Sequence, residues 1–415
     1  MSIKETKHVD YKLFFAVLFL VVFWMIMISS VSVYSSFRVT NAMAKAWLID
    51  EAYNYFYVVR NITHVVISLI TLWFLVKIPY TFFEKNSRHF LFLSVVMLFI
   101  VLFIWPSWNG ARWWINLPFL PFAIQPTEFL KFSLIIYLAY FFKKYKTRLH
   151  TFSDGFLPFL MTLSFLVLII GMQPDFGTIL VIVPLSVIMF FVAWANVRYI
   201  FWMFVLACIL AVSIYSLWDY DKTTGKNLNS LWYITQRIDN FLSNNREAIQ
   251  NKTINYQTEQ ALIAIWSGGF TGLGFWQSIQ KFWYLPEVQW DFIFSVIVEE
   301  LWFVGAFILI LIFFYIGFRG IMISLSTKDL FAKYVAVWVS TWIMLQAFIN
   351  IGVNLNIVPL TWITLPFVSY GGSSLLALMF WLAILLNISR YIEPERQNIV
   401  SRKKSMFSFL RKLIQ

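Results

Sequence analysis

Apolar runs of about 18 or more residues recur along the whole chain, each long enough to cross a hydrocarbon core about 30 Å thick. They lie near 12–34, 57–79, 88–106, 120–142, 156–173, 177–196, 198–217, 292–317, 331–355 and 373–393. The expected fold is an all-α integral membrane protein with about ten transmembrane helices. One long outward loop, 218–291, separates the seventh and eighth. Charge makes up 13% of the 415 residues, about half of the roughly 25% of a soluble domain, so a soluble multidomain protein is excluded.

The first run follows Lys4, Lys7 and Lys12 without a small-residue cleavage site, and reads as a retained helix rather than a signal peptide. Cys208 stands alone inside the seventh span, so no disulfide framework is expected. His8, His64, His89 and His150 are scattered, which argues against a zinc site. With the N-terminus inside, 21 of the 32 lysines and arginines fall on cytoplasmic segments. The short outward loops carry only Arg38, Lys45, Arg60 and Arg112. Basic residues favour the cytoplasmic side, so both termini are expected there, in the bacterial cytoplasmic membrane. Residues 1–400 read as a single polytopic domain and 401–415 as a basic amphipathic tail lying on the membrane surface. Inside-facing lysine and arginine beside anionic headgroups explain the net charge of +12. Nucleic-acid binding is not expected.

That topology sorts the remaining polar segments onto one face. Gly268, Gly269, Gly272 and Gly274 fall in the outward loop, and Gly371 and Gly372 precede the last span. Gln125-Pro126-Thr127-Glu128, Gln173-Pro174-Asp175 and Pro286-Glu287 also fall on outward ends. Irregular backbone at membrane depth needs protein or a water-filled cavity around it, so these segments are expected to converge on one cavity. Glu128 and Lys131 share a helix face at i, i+3. Asp291 opens the eighth span, and Glu299, two turns on, is expected on the same side. Ionisable groups at this depth are expensive and mark functional sites by default. The structural alternatives are an ion pair for Glu128 and Lys131, a helix cap for Asp291, and a buried packing network for Glu299 and Glu300.

Together these segments resemble the shape, elongation, division and sporulation family, the FtsW, RodA and SpoVE group. The pieces, in the family's order, begin with Asn109-Gly-Ala-Arg-Trp-Trp-Ile115, Gln125-Pro-Thr-Glu-Phe-Leu-Lys131 and Gln173-Pro-Asp-Phe-Gly-Thr178. Gly268-Gly-Phe-Thr-Gly-Leu-Gly274, Gln280-Lys-Phe-Trp-Tyr-Leu-Pro-Glu287 and Asp291-Phe-Ile-Phe294 follow. Glu299-Glu300 and Leu365-Pro-Phe-Val-Ser-Tyr-Gly-Gly-Ser-Ser374 complete the set. The wording before Asp291 leans to the division and sporulation branch.

The resemblance implies an inverting peptidoglycan glycosyltransferase that polymerises lipid II beside a class B penicillin-binding protein. It implies Asp291 as the catalytic base. Arg112, Gln125, Glu128, Lys131, Asp175, Lys281, Glu287, Ser369, Gly371, Gly372 and Ser373 are its expected substrate contacts. A divalent cation, magnesium or manganese, has Glu128 or Asp291 as candidate ligands, and no organic cofactor is expected.

The chain also departs from the pattern. Gln289-Trp290 stands where the family usually has His-Thr, and Trp113 where it often has arginine. Trp276, Trp302, Trp362 and Asn356 occupy common glycine positions. Tryptophan lacks glycine's backbone freedom, and its ring would narrow the cavity. The competing readings are a flippase for the same lipid, which would keep its charges near the midplane, and a catalytically silent scaffold.

Overall fold

A computed structural model describes residues 9–103, 114–115, 123–173, 175–193, 196, 198–206, 208–209, 212–213, 254–269 and 272–392. The described residues are nearly all helical. In chain order α1 is Tyr11–Val31, α2 Val33–Lys45, α3 Phe56–Leu75, α4 Tyr80–Lys85, α5 Ser87–Phe103 and α6 Pro126–Lys144. A π-helical turn, Phe152–Phe156, leads into α7, Leu157–Met172, which is followed by α8, Phe176–Val192. Then come α9 Ile254–Ser267, α10 Ile293–Ser326, α11 Leu330–Asn354 and α12 Gly372–Ser389. Helices overlie nine of the expected spans, and 198–217 is described only in part. Six stretches, including α1, α3, α7 with its π turn, and α10 to α12, are long and apolar enough to cross a membrane.

Three elements were not expected. Helix α2 follows α1 after Ser32 alone and carries polar residues such as Ser35, Arg38 and Asn41. Helix α9 falls within the expected long loop. The third is a break in α10: at 34 residues an unbroken helix would reach about 51 Å, well beyond a ~30 Å core. The interruption comes at Trp302, with φ 59° and ψ −170°. Arg112, Trp113, Pro174 and the tail 401–415 lie outside the described residues.

Helices α11 and α12 form the centre. The first packs on α6, α8 and α10, and the second on α3 and α6. Trp338, Trp342 and Trp381 are fully buried there, with Trp342 and Trp381 edge to face at 5.6 Å. At the end of the molecule away from the polar segments, Asp10 caps α1 by accepting from Leu13 N at 3.1 Å. The same carboxylate receives the Arg319 guanidinium of α10, while Asp10 N donates to Ser389 Oγ at 3.0 Å. Lys143 bridges Glu84 and Asp329, each at 2.7 Å. These ties fix one end of the bundle and leave the other free to build a cavity.

Candidate functional site

The N-termini of α6, α8, α10 and α12 meet around a cavity of about 590 Å³. Each contributes residues of its opening turns or of the segment just before it: Gln125, Glu128 and Lys131; Asp175, Gly177 and Thr178; Asp291; Gly371 and Gly372. Pro126 opens α6, a position where its missing N–H is harmless. A helix N-terminus carries roughly half a positive charge and unpaired N–H groups, so four of them make the cavity attractive to anions. Gly177 permits a close approach to the segment after α11, because a Cβ there would run into the Thr361 carbonyl oxygen.

Lys131 Nζ donates to Glu128 Oε1 at 2.7 Å, with both side chains buried, and sits 5.2 Å from the Trp342 ring centroid. Glu128 Oε2 is buried with no hydrogen-bond partner among the described residues, as is Gln346 Oε1 on the same cavity. Buried polar atoms left unpaired are costly, so both mark places where a polar ligand gains most. Asp175 is a true helix cap, accepting from Thr178 N at 3.0 Å and Thr178 Oγ1 at 2.7 Å.

Asp291 precedes α10 rather than lying in it, and its backbone is clamped. Asn350 and Asn354 of α11 both donate to the Asp291 carbonyl, at 3.0 and 2.9 Å. Asn354 Oδ1 in turn accepts from Ser295 N and Oγ. Asn354→Ala is expected to leave these buried groups unsatisfied and to destabilise the protein by about 1–3 kcal/mol, with a matching loss of turnover. Thermal unfolding in detergent measures the first, and an unchanged midpoint would refute the clamp.

Glu287 lines the cavity at the end of the loop before α10, and burial pushes its carboxyl above the ordinary range. The folded state therefore binds this proton more tightly than the unfolded chain does. Glu287 favours folding at low pH, and that contribution is lost as pH climbs past its ordinary 4.5. Glu287→Gln is expected to flatten the fall in thermal midpoint over that climb, as a melting series across pH would show.

The structure separates the remaining expected contacts. Lys281 does not line the cavity; its Nζ donates to Glu300 Oε1 at 2.8 Å, Ser30 Oγ at 2.9 Å and Trp276 O at 2.6 Å. Ser369 Oγ accepts from Leu365 N at 2.8 Å and closes a turn, and Ser373 is buried off the cavity wall, where Ser374 stands instead. Glu299 does not share the cavity with Asp291. Helical spacing does not apply across residue 291 because the helix starts at Ile293, and Glu299 binds Ser278 and Ile279 N.

Several lining residues escaped the sequence reading: Arg60, His64, Gln257, Trp290, Gln346 and Tyr370. Arg60 and His64 sit at i, i+4 on α3, one helix face, and Arg60 was already one of the few basic residues assigned outward. Trp290 and Tyr370 of this lining pack edge to face with each other and with Tyr57 at 5.2 to 6.0 Å, so the wall has an aromatic stretch. Among the described residues no three His, Cys, Asp or Glu side chains gather as a metal cluster. Glu128 and Asp291 do line one cavity, and two carboxylates with ligand phosphates suit magnesium, which keeps few protein ligands.

Fold and site together define a polytopic membrane protein whose acidic, basic and amide groups meet at helix N-termini in one cavity. The chain belongs to the FtsW/RodA/SpoVE family of cell cycle proteins, which matches over residues 11–393. It is 36% identical over 340 residues to the stage V sporulation protein E of Bacillus subtilis, covering 81% of this chain and 88% of that one. It is 32% identical over 363 residues to a probable peptidoglycan glycosyltransferase FtsW of Trichlorobacter lovleyi, covering 86% and 88%. Among solved structures it resembles a chain of a peptidoglycan synthase complex that coordinates polymerization and crosslinking. That match has a TM-score of 0.70 and 22% identity, over 92% of this chain and 98% of that one. The rod shape determining protein RodA of Thermus thermophilus matches with a TM-score of 0.61 and 22% identity, over 92% and 97%.

Proposed function

We propose that this protein is a peptidoglycan glycosyltransferase that polymerises lipid II. The observation that carries the reading is the meeting of Asp291, Glu128 and Lys131 in one cavity ringed by four helix N-termini. The Asp291 carboxylate takes the proton of the acceptor sugar's 4-hydroxyl. The hydroxyl oxygen bonds to the anomeric carbon of the donor as the bond from that carbon to the lipid pyrophosphate breaks, with inversion. The departing pyrophosphate gathers negative charge, which the Lys131 ammonium, Arg60 and the helix N-termini stabilise. A divalent cation, held by Glu128 Oε2 and Asp291, would supply further neutralisation there. The rings of Trp290 and Tyr370 on the cavity wall offer apolar faces for the sugars.

Its partner in this reading is a class B penicillin-binding protein supplying the crosslinking activity, in keeping with the synthase complex that its fold resembles. A flippase would hold its charges near the middle of its helices, whereas here they stand at helix starts.

The test is polymerisation of labelled lipid II by the purified protein with and without that partner. Glycan strands are the expected product. None under either condition would overturn the reading, and translocation of the lipid across vesicles would replace it with the flippase.

A further inference from the structure

Among the described residues, eight that are not glycine hold a positive φ: Trp47, Trp276, Trp283, Glu287, Trp302, Asn356, Trp362 and Phe367. Five of the eight are tryptophan, with φ of 58°, 70°, 83°, 59° and 55° in chain order. Left-handed backbone suits glycine, is tolerated by asparagine, and is an outlier for a bulky side chain, whose Cβ crowds the following carbonyl. Trp302 is the sharpest case. Its φ of 59° and ψ of −170° fall in a region essentially reserved to glycine.

The other described tryptophans do not hold a positive φ, whether exposed on helices like Trp73, Trp202 and Trp266 or buried. Trp24, Trp338, Trp342 and Trp381 lie within helices and are buried to 1% exposure or less. Trp47, Trp276, Trp283 and Trp362 are 94%, 51%, 69% and 43% exposed; Trp283 packs edge-on against Tyr34, at 5.7 Å. Tryptophans at a membrane surface are ordinary, but a surface position asks nothing of φ. Composition points the same way. At the average glycine usage of about 7% this chain would carry roughly 29 glycines; it has 15, beside 20 tryptophans. Trp276, Trp302 and Trp362 are also three positions at which the sequence resemblance asks for glycine.

We propose that Trp47, Trp276, Trp283, Trp302 and Trp362 are glycines in the polypeptide the source cell makes, all encoded by UGA. This codon is a stop in the standard code, tryptophan in some variant codes and glycine in others. Reading such a gene with the tryptophan assignment places an indole at every UGA-encoded glycine. Five separate mutations, each installing the largest side chain where backbone geometry least admits one, have no physical drive; one decoding difference produces all five together. With glycine at 362 the cavity loses a ring from its wall. With glycine at 302, α10 turns at its break without strain.

The test joins the gene to the protein. The five codons are expected to be UGA, and those of Trp24, Trp338, Trp342 and Trp381 to be UGG. Peptides spanning the five positions, from the protein isolated from its native membrane, are expected to carry glycine by mass. Tryptophan in those peptides, or UGG at any of the five codons, overturns the proposal. A recombinant comparison reads the same question through stability. The variant combining Trp47→Gly, Trp276→Gly, Trp283→Gly, Trp302→Gly and Trp362→Gly should melt several degrees above the tryptophan chain, whereas Trp342→Gly should melt below it. A lower midpoint for the five-glycine protein also overturns it.

Discussion

Asp291→Asn is expected to lower lipid II polymerisation by about 10²–10⁴-fold, the usual worth of a positioned general base, while the protein folds as before. The amide keeps the size of the carboxylate but cannot take a proton from the acceptor hydroxyl. The backbone restraint is untouched, since Asn350 and Asn354 hold the Asp291 carbonyl and not its side chain. The loss should therefore appear in turnover, with lipid II binding nearly unchanged. Equal melting midpoints and a missing glycan ladder would meet the expectation. Wild-type rates in the variant would remove Asp291 from the chemistry and leave Glu287 as the next cavity carboxylate to try.

Lys281→Met carries the largest stability effect. The Lys281–Glu300 pair is almost fully shielded, with side-chain exposures of 2% and 0%. It ties the loop before α10 to α10 itself and, through Ser30, to α1. Removing one partner strands a buried charge, a loss of about 3–5 kcal/mol. The double variant Lys281→Met with Glu300→Gln removes both charges and should recover most of that, since a buried pair and a neutral packing of similar volume are often close in energy. Unfolding in detergent, monitored for the single and double variants, measures the difference. A single-variant loss under about 1 kcal/mol, the value of an exposed pair, would show that the loop is held by other contacts.

What was legible in the sequence follows from the length scale of the bilayer. Helices α1, α3 and α11 start within a residue of their expected runs, because an apolar stretch of that length has no other stable conformation in lipid. Gln125, Glu128, Lys131, Asp175, Glu287, Asp291, Gly371 and Gly372 were all anticipated at the outward ends of runs, and all line the cavity. Polarity at a span's end is a local property, and local properties can be read from a string of residues. Lys281 shows where this fails. It sits among residues that do belong near the site, yet its ammonium turns to Glu300 and Ser30, residues 19 and 251 positions away. Asn350 and Asn354 escaped for the same reason, being polar residues within a span whose partner, Asp291, lies on another element.

The sequence by itself determined that this chain spans a membrane, where its apolar runs lie, and that Glu128, Lys131, Asp175, Lys281, Glu287 and Asp291 fall at one set of helix ends or in the loop beside them. The energy that enforces those choices, transfer of side chains and backbone into hydrocarbon, is summed residue by residue along the chain. Only the tertiary structure decided which of those groups share a cavity and which neutralise one another away from it. It also decided which tryptophans occupy glycine's backbone. Such outcomes depend on crossing helices and on dihedral angles set by distant packing. Two lysines expected alike as substrate contacts, Lys131 on the cavity and Lys281 off it, are told apart by what the fold places within 3 Å of each.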